Sequence, residues 1–352
     1  MSTKYYPFLK LKQNEVAALG SISSNILSDL TPLFDIPKTE KESPTTAQTS
    51  VEKGIKFLNK SWDKSKNLLI DCKDIITLSV NNQHIYDYTI SRFKEEGFNF
   101  TPVLALNRDK GHNECVQKHH TQAPFSKIAI RLERYEIDDF YTCEAELSAL
   151  LAHFQGCNIT IIIDIAVIHG EKDAQRLITP LTDFIQDIST SNTINYSTIV
   201  FTSSVISANF NEHTPAKKSS KLPRFEYFLY EQLRRLESNL IYGDYGIVSP
   251  EYSDSGLPIE FIYQMSTPKL IYTGRNEYYI FRGGSLKTNG NKQYFKLAKE
   301  IVSLEEFRGA HYSSGEKFID QKSKEIGSPS SQGNWYKFLN VSHITYIVKD
   351  FL

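Results

Sequence analysis

The sequence predicts an α/β fold: a (β/α)8 barrel of the TIM type, with a rim β-hairpin and a helical C-terminal extension. Three observations lead there. Short apolar segments recur at intervals of roughly thirty residues, and each is followed by a polar turn and an amphipathic stretch. Nearly every apolar segment ends on a charged or hydroxylated residue. Strand–helix alternation implies a parallel sheet with right-handed crossovers, and eight such units fill a barrel of about 250 residues. An open doubly wound sheet would carry a glycine-rich turn after its first strand, where this chain has KLKQNE.

In chain order the expected strands are 6–12 (YPFLKLK), 30–36 (LTPLFDI), 67–72 (NLLIDC), 100–106 (FTPVLAL), 127–133 (KIAIRLE), 159–165 (ITIIIDI), 197–204 (STIVFTSS) and 239–246 (NLIYGDYG). Between them VEKGIKFLNKSW, IYDYTISRFKEEG, EAELSALLAHFQG and FEYFLYEQLRRLES repeat apolar residues at spacings of three and four, as helices do. Gly97 and Gly156 sit where two of these helices should stop. The barrel occupies 1–306, with PKLIYTGRNEYYIFRGG (268–284) as a hairpin insertion turning at Gly274-Arg275-Asn276. Residues 307–352 form a loop-rich extension that ends in the helix NWYKFLNVSHITYIVKDFL.

Asp164 interrupts a strand that otherwise reads as buried on both faces, and an unpaired carboxylate there would cost several kcal/mol. The strand ends supply its partners: Lys10 and Lys12, Asp35, Asp71, Asn107 and Arg108, Arg131 and Glu133, Ser203 and Ser204, Asp244. In these barrels the C-terminal strand ends converge on one rim, where active sites are built. The candidate site is therefore Lys10, Lys12, Asp35, Asp71, Arg131, Asp164 and Asp244, with Arg282 reaching in from the hairpin. The aspartates suit either an acid/base pair or a divalent metal at the mouth, and the cations suit an anionic substrate group. A salt-bridge network plugging the mouth would leave the same residues.

Other motifs carry less. His112, Cys115 and His119 share a helical face beside His120, but their spacing matches no structural zinc motif, and the segment is expected on an outer helix far from the rim. Ser203 and Ser204 lack a nucleophile elbow. His311 and His343 read as surface or core histidines. The polar segments 37–50 and 209–223 read as mobile loops over the rim, the second offering Lys217, Lys218 and Lys221 to a phosphate. Lys plus Arg total 40 against 41 Asp plus Glu, which removes a global electrostatic case for nucleic acid. The four cysteines form no CxxC pair, the N-terminus lacks an apolar signal, and no apolar run could span a bilayer, so a reduced cytoplasmic protein with no membrane association is expected.

YYPFLKLKQNEVAAL and PLFDI resemble the opening of the phage-type beta protein family. GDYGIVSP, YYIFRGG, FRGAHYSSGEKFI and the terminal helix with SHI are similar to its later landmarks, so the resemblance runs from about residue 5 to 350. It implies phage-borne biology: an immunity factor that suppresses a killer protein encoded beside it, with a toxin or phage protein as partner. It carries over no catalytic residues, and where paired histidines are expected this chain has Ser342-His343. Two functions from different classes follow. One is an interaction protein of phage defence; the other is a barrel hydrolase or lyase acting on a phosphorylated or nucleotide-like substrate through the charged rim.

Overall fold

A computed structural model describes residues 3–39, 43–75, 78–252 and 266–352. Eight parallel strands close into a barrel: β1 Tyr5–Lys10, β2 Leu33–Asp35, β3 Leu68–Asp71, β4 Phe100–Leu104, β5 Lys127–Glu133, β6 Asn158–Val167, β7 Thr198–Ser204 and β8 Leu240–Asp244. Each strand pairs with its sequence neighbours, and β1 pairs with β8 through Tyr5↔Tyr242 to Pro7↔Asp244 to complete the ring. The alternation of strand and helix in the sequence thus becomes the alternation of inner and outer layers.

Because side chains alternate across a strand, each strand contributes to two cores. Tyr6, Phe8, Leu33, Leu69, Val103, Ala129, Ile162 and Val200 fill the barrel interior, with Tyr245 above them. The intervening residues, such as Leu9, Phe34, Ile70, Ile130, Ile163 and Phe201, face outward into a larger core shared with the helices. The all-apolar reading of β6 follows, since both of its faces are buried.

Several polar stretches are more ordered than their composition suggests. Of residues 37–50, expected as a loop, 40–42 lie outside the described residues and 44–50 begin helix Pro44–Ser61; Ser43 caps it, its Oγ accepting from Thr46 N at 3.2 Å. The stretch 209–223, also expected as a loop, ends in strand Ser219–Pro223, which pairs antiparallel with Glu277–Arg282. That strand pairs in turn with Lys269–Thr273, making a three-stranded sheet. Lys221 is paired with Glu277 at 2.8 Å. The tail holds helix Ser314–Ser323, whose Phe318 stacks on Phe338 at 4.2 Å and meets Trp335 at 4.8 Å. The strand and the tail helix take their order from long-range partners, which local polarity does not reveal, whereas the first helix begins at a local cap.

The last helix, Gln332–Tyr346, lies against Lys269–Thr273 and the N-terminal helix Gln13–Leu19. It buries Trp335, Leu339 and Ile344, while Phe338 is only partly buried. No helix among the described residues is long and apolar enough to cross a membrane.

Candidate functional site

Two residues beyond the inner core, on the same face, five of the eight strands turn charged. Phe8 is followed by Lys10, Leu33 by Asp35, Leu69 by Asp71, Ala129 by Arg131 and Ile162 by Asp164. Arg131 lies at the centre, 1 % exposed. Its Nε donates to Asp164 Oδ2 at 2.8 Å, and one terminal nitrogen donates to Asp35 Oδ1 at 2.7 Å and Asp71 Oδ2 at 3.0 Å. The other donates to the Tyr245 hydroxyl at 2.8 Å, which itself donates to Asp164. One guanidinium therefore ties together three carboxylates from three strands.

A second tier sits above it. Lys10 Nζ reaches Asp35 at 3.3 Å and Asp74 at 2.7 Å, and the Tyr252 hydroxyl donates to Asp74 at 2.7 Å. Arg108 bridges Asp71 and Glu133, each at 3.1 Å. Lys73 pairs with Glu133 at 2.8 Å and lies 3.6 Å from Asp164. Burial opposes ionisation of Asp35, but Arg131 and Lys10 outweigh it and hold its carboxyl at about 2. Burial likewise opposes Glu133, while Lys73, Arg108 and Arg131 bring it to about 2. Asp71 and Asp164 also sit below the usual carboxylate range, since their guanidinium partners overcome desolvation. The carboxylates of Asp35, Asp71, Glu133 and Asp164 are thus held ionised by cations of the same network.

Lys10, Asp35, Asp71, Arg131 and Asp164 come together as the strand ends suggest. Lys12, Asp244 and Arg282 do not join them. Lys12 is exposed at the start of helix Gln13–Leu19, its Nζ 5.5 Å from the centre of the Tyr252 ring. Arg282 is held by the loop after β7, donating to Asn211 Oδ1 at 2.6 Å and to Thr214 O at 2.7 Å. Asp244 is out of phase: Tyr245 is the inward residue at the end of β8, so Asp244 faces the outer layer.

There Asp244 anchors a second buried cluster. It accepts from Tyr5 Oη at 2.5 Å and from Gly246 N at 2.8 Å, and its Oδ2 lies 3.0 Å from His343 Nε2. The other His343 nitrogen is 2.8 Å from Thr273 Oγ1. Burial works against ionisation of Asp244, yet His343 and Arg224 keep its carboxyl at about 2. The chain Thr273–His343–Asp244 has the order of a nucleophile relay. With Thr273 only 2 % exposed, its hydroxyl cannot meet a substrate, and the cluster clamps the last helix to the barrel wall.

Lys73, Asp74, Tyr245 and Tyr252 were absent from the sequence-derived site. The inward parity of β8 points to Tyr245, and the Lys73-Asp74 pair just past Asp71-Cys72 points to the second tier; nothing local singles out Tyr252. His112 is closer to the rim than expected. Buried in helix Lys110–Gln122, it contacts Val103 O through Nε2 at 2.9 Å and lies 3.8 Å from Asp71 Oδ1. Burial pushes its pKa down to about 4. His119 instead pairs with Asp87 at 2.7 Å. Among the described residues no three His, Cys, Asp or Glu side chains are grouped to hold a metal ion. The oxygens of Asp35, Asp71 and Asp164 converge on the Arg131 guanidinium, so a cationic side chain stands where carboxylates of this kind would hold a divalent cation.

No curated protein matches the chain, and no solved structure matches it. A family model does match, over residues 5–349 and therefore over the barrel, the three-stranded sheet and the last helix alike. The chain belongs to the Beta protein family.

Proposed function

We propose that this chain is an immunity-type protein of phage defence, acting by binding a toxin or phage protein, with the barrel as its rigid scaffold. The observation that carries this reading is the state of Arg131: every side-chain nitrogen is committed, and the three carboxylates it binds are buried and paired. A guanidinium and carboxylates spent on one another offer little to a substrate. Such a network instead fixes the relative positions of the strand ends, and with them the loops that would meet a partner. The phage-borne biology implied by the family resemblance supports the same reading.

One observation favours the second reading, a barrel hydrolase or lyase acting on a phosphorylated or nucleotide-like substrate. Around Asp71, the buried Asp71 Oδ1, Arg108 Nε and His112 Nδ1 find no hydrogen-bond partner among the described residues. Unpaired polar atoms at a barrel rim are what a substrate or catalytic water would satisfy.

Phage plating, with rescue from a toxin encoded beside the gene, separates the two. Wild type is compared with Asp164→Asn and with the partly exposed Lys73→Gln, each checked for native circular dichroism. Protection retained by folded variants supports the interaction reading. Protection lost with the fold intact moves function into the mouth, and a wild type that neither restricts phage nor rescues from toxin sinks the immunity reading altogether.

A further inference from the structure

The opposite end of the barrel has an unexpected lining. Below the apolar interior, a ring of inward-facing polar residues continues around the strands in order: Thr31, Asn67, Thr101, Lys127, Thr160 and Thr198. Each stands two residues before an interior residue of its own strand: Leu33, Leu69, Val103, Ala129, Ile162 and Val200. They enclose a bowl of about 440 Å³ on the barrel axis, within the size range of small-molecule pockets. Its floor is apolar, made by Tyr6, Leu69 and Ile241.

The lining restricts what such a bowl could hold. No carboxylate lines it among the described residues, so an organic cation finds no counter-charge. A single ammonium, Lys127 at the exposed edge, is too little for a polyanion. An apolar ligand would strand the hydroxyls and amides without partners. Some of these groups are already engaged, as in Thr101 Oγ1 donating to Asn67 Oδ1 at 3.1 Å and the Tyr6 hydroxyl meeting Thr3 and Thr160. Others, the exposed Asn158 amide and the partly exposed Thr198 hydroxyl, line the bowl at its open side. Bottom faces of such barrels ordinarily serve stability, which favours apolar or mutually paired groups over free donors and acceptors.

We propose that this bowl binds an uncharged polyhydroxylated ligand of sugar or nucleoside size, its C–H face on Tyr6, Leu69 and Ile241 and its hydroxyls on the polar ring. The site is at the far end of the barrel from Arg131, so it stands independently of the defence reading.

The test is saturation-transfer NMR on the full chain, with D-ribose, D-glucose and adenosine as probes at millimolar concentration on the order of a weak ligand's Kd. Inorganic phosphate and tetramethylammonium serve as charged controls. At least one polyol should receive saturation from the protein. Thr198→Val should weaken its binding by about fivefold, the effect of one lost hydrogen bond, and adding Asn158→Leu should weaken it further. Both positions are at least partly exposed, so the fold should persist, as circular dichroism would verify. Transfer to no polyol, transfer that both variants leave unchanged, or preferential binding of a charged control would each overturn the proposal.

Discussion

Arg131 Nε and Asp164 Oδ2 lie 2.8 Å apart on adjacent strands, and the same guanidinium reaches across the barrel to Asp35 and Asp71. The carboxylate in the middle of ITIIIDI is thus one arm of a four-residue knot. Removing a partner from a buried charge network leaves the others uncompensated, typically at a cost of about 3–5 kcal/mol. Arg131→Met should therefore destabilise by at least this order in urea unfolding. Asp164→Asn, which keeps a hydrogen-bonding group beside both Arg131 and Tyr245, should cost less.

The acid response follows from the direction of the shifts. Asp35, Glu133 and Asp244 are each held at about 2, below their unfolded values near ~4. Their contribution to stability is present above pH ~4 and is lost as pH falls from there through ~2. Glu15 acts oppositely: burial raises it to about 7, so its penalty enters as pH rises from ~4 to ~7. Urea midpoints should drop steeply below pH ~4 for wild type. Glu15→Gln should raise the midpoint at pH ~8 more than at pH ~5; an equal change at both would mean that Glu15 ionises freely.

His343 and Asp244 join the last helix to β8, 3.0 Å apart. Their coupling in a double-mutant cycle of His343→Phe and Asp244→Asn should exceed ~1 kcal/mol, as expected for buried groups in direct contact. Additive effects would place the clamp elsewhere.

Gly315 is where helix Ser314–Ser323 crosses the last helix. A Cβ there would sit 2.4 Å from Phe338 O and 2.7 Å from Ser342 N, both backbone atoms that cannot move aside cheaply. Gly315→Ala should cost about 1–3 kcal/mol. It should also increase hydrogen exchange of Gln332–Tyr346 relative to the barrel strands.

Ala166 has φ 56° inside β6, at the register shift between Asp164 and Val167, and its N–H donates to Asp164 Oδ1 at 2.9 Å. A left-handed alanine costs roughly 1–2 kcal/mol, partly offset by the chain entropy a glycine would lose. Ala166→Gly should be neutral or stabilising by up to ~1 kcal/mol, and the β-branched Ala166→Val clearly destabilising. The reverse order in thermal melts would show that the bulge is not strained.

The chain by itself determined the barrel, because strand and helix differ in hydrophobic period and eight repeats leave few ways to bury both faces of each strand. It also determined which strands end in charge. Parity within a strand was legible too, and correctly used it separates Asp244 from Asp164. Only the tertiary structure decided who meets whom. Tyr252 reaches Asp74, Thr273 meets His343, and Arg282 is drawn to Asn211 because chain segments far apart in sequence pack side by side. Ser219–Pro223 becomes a strand for the same reason, since its order comes from pairing with Glu277–Arg282. Local periodicity records burial and says nothing of partners, and the charge network at the mouth is made of partners.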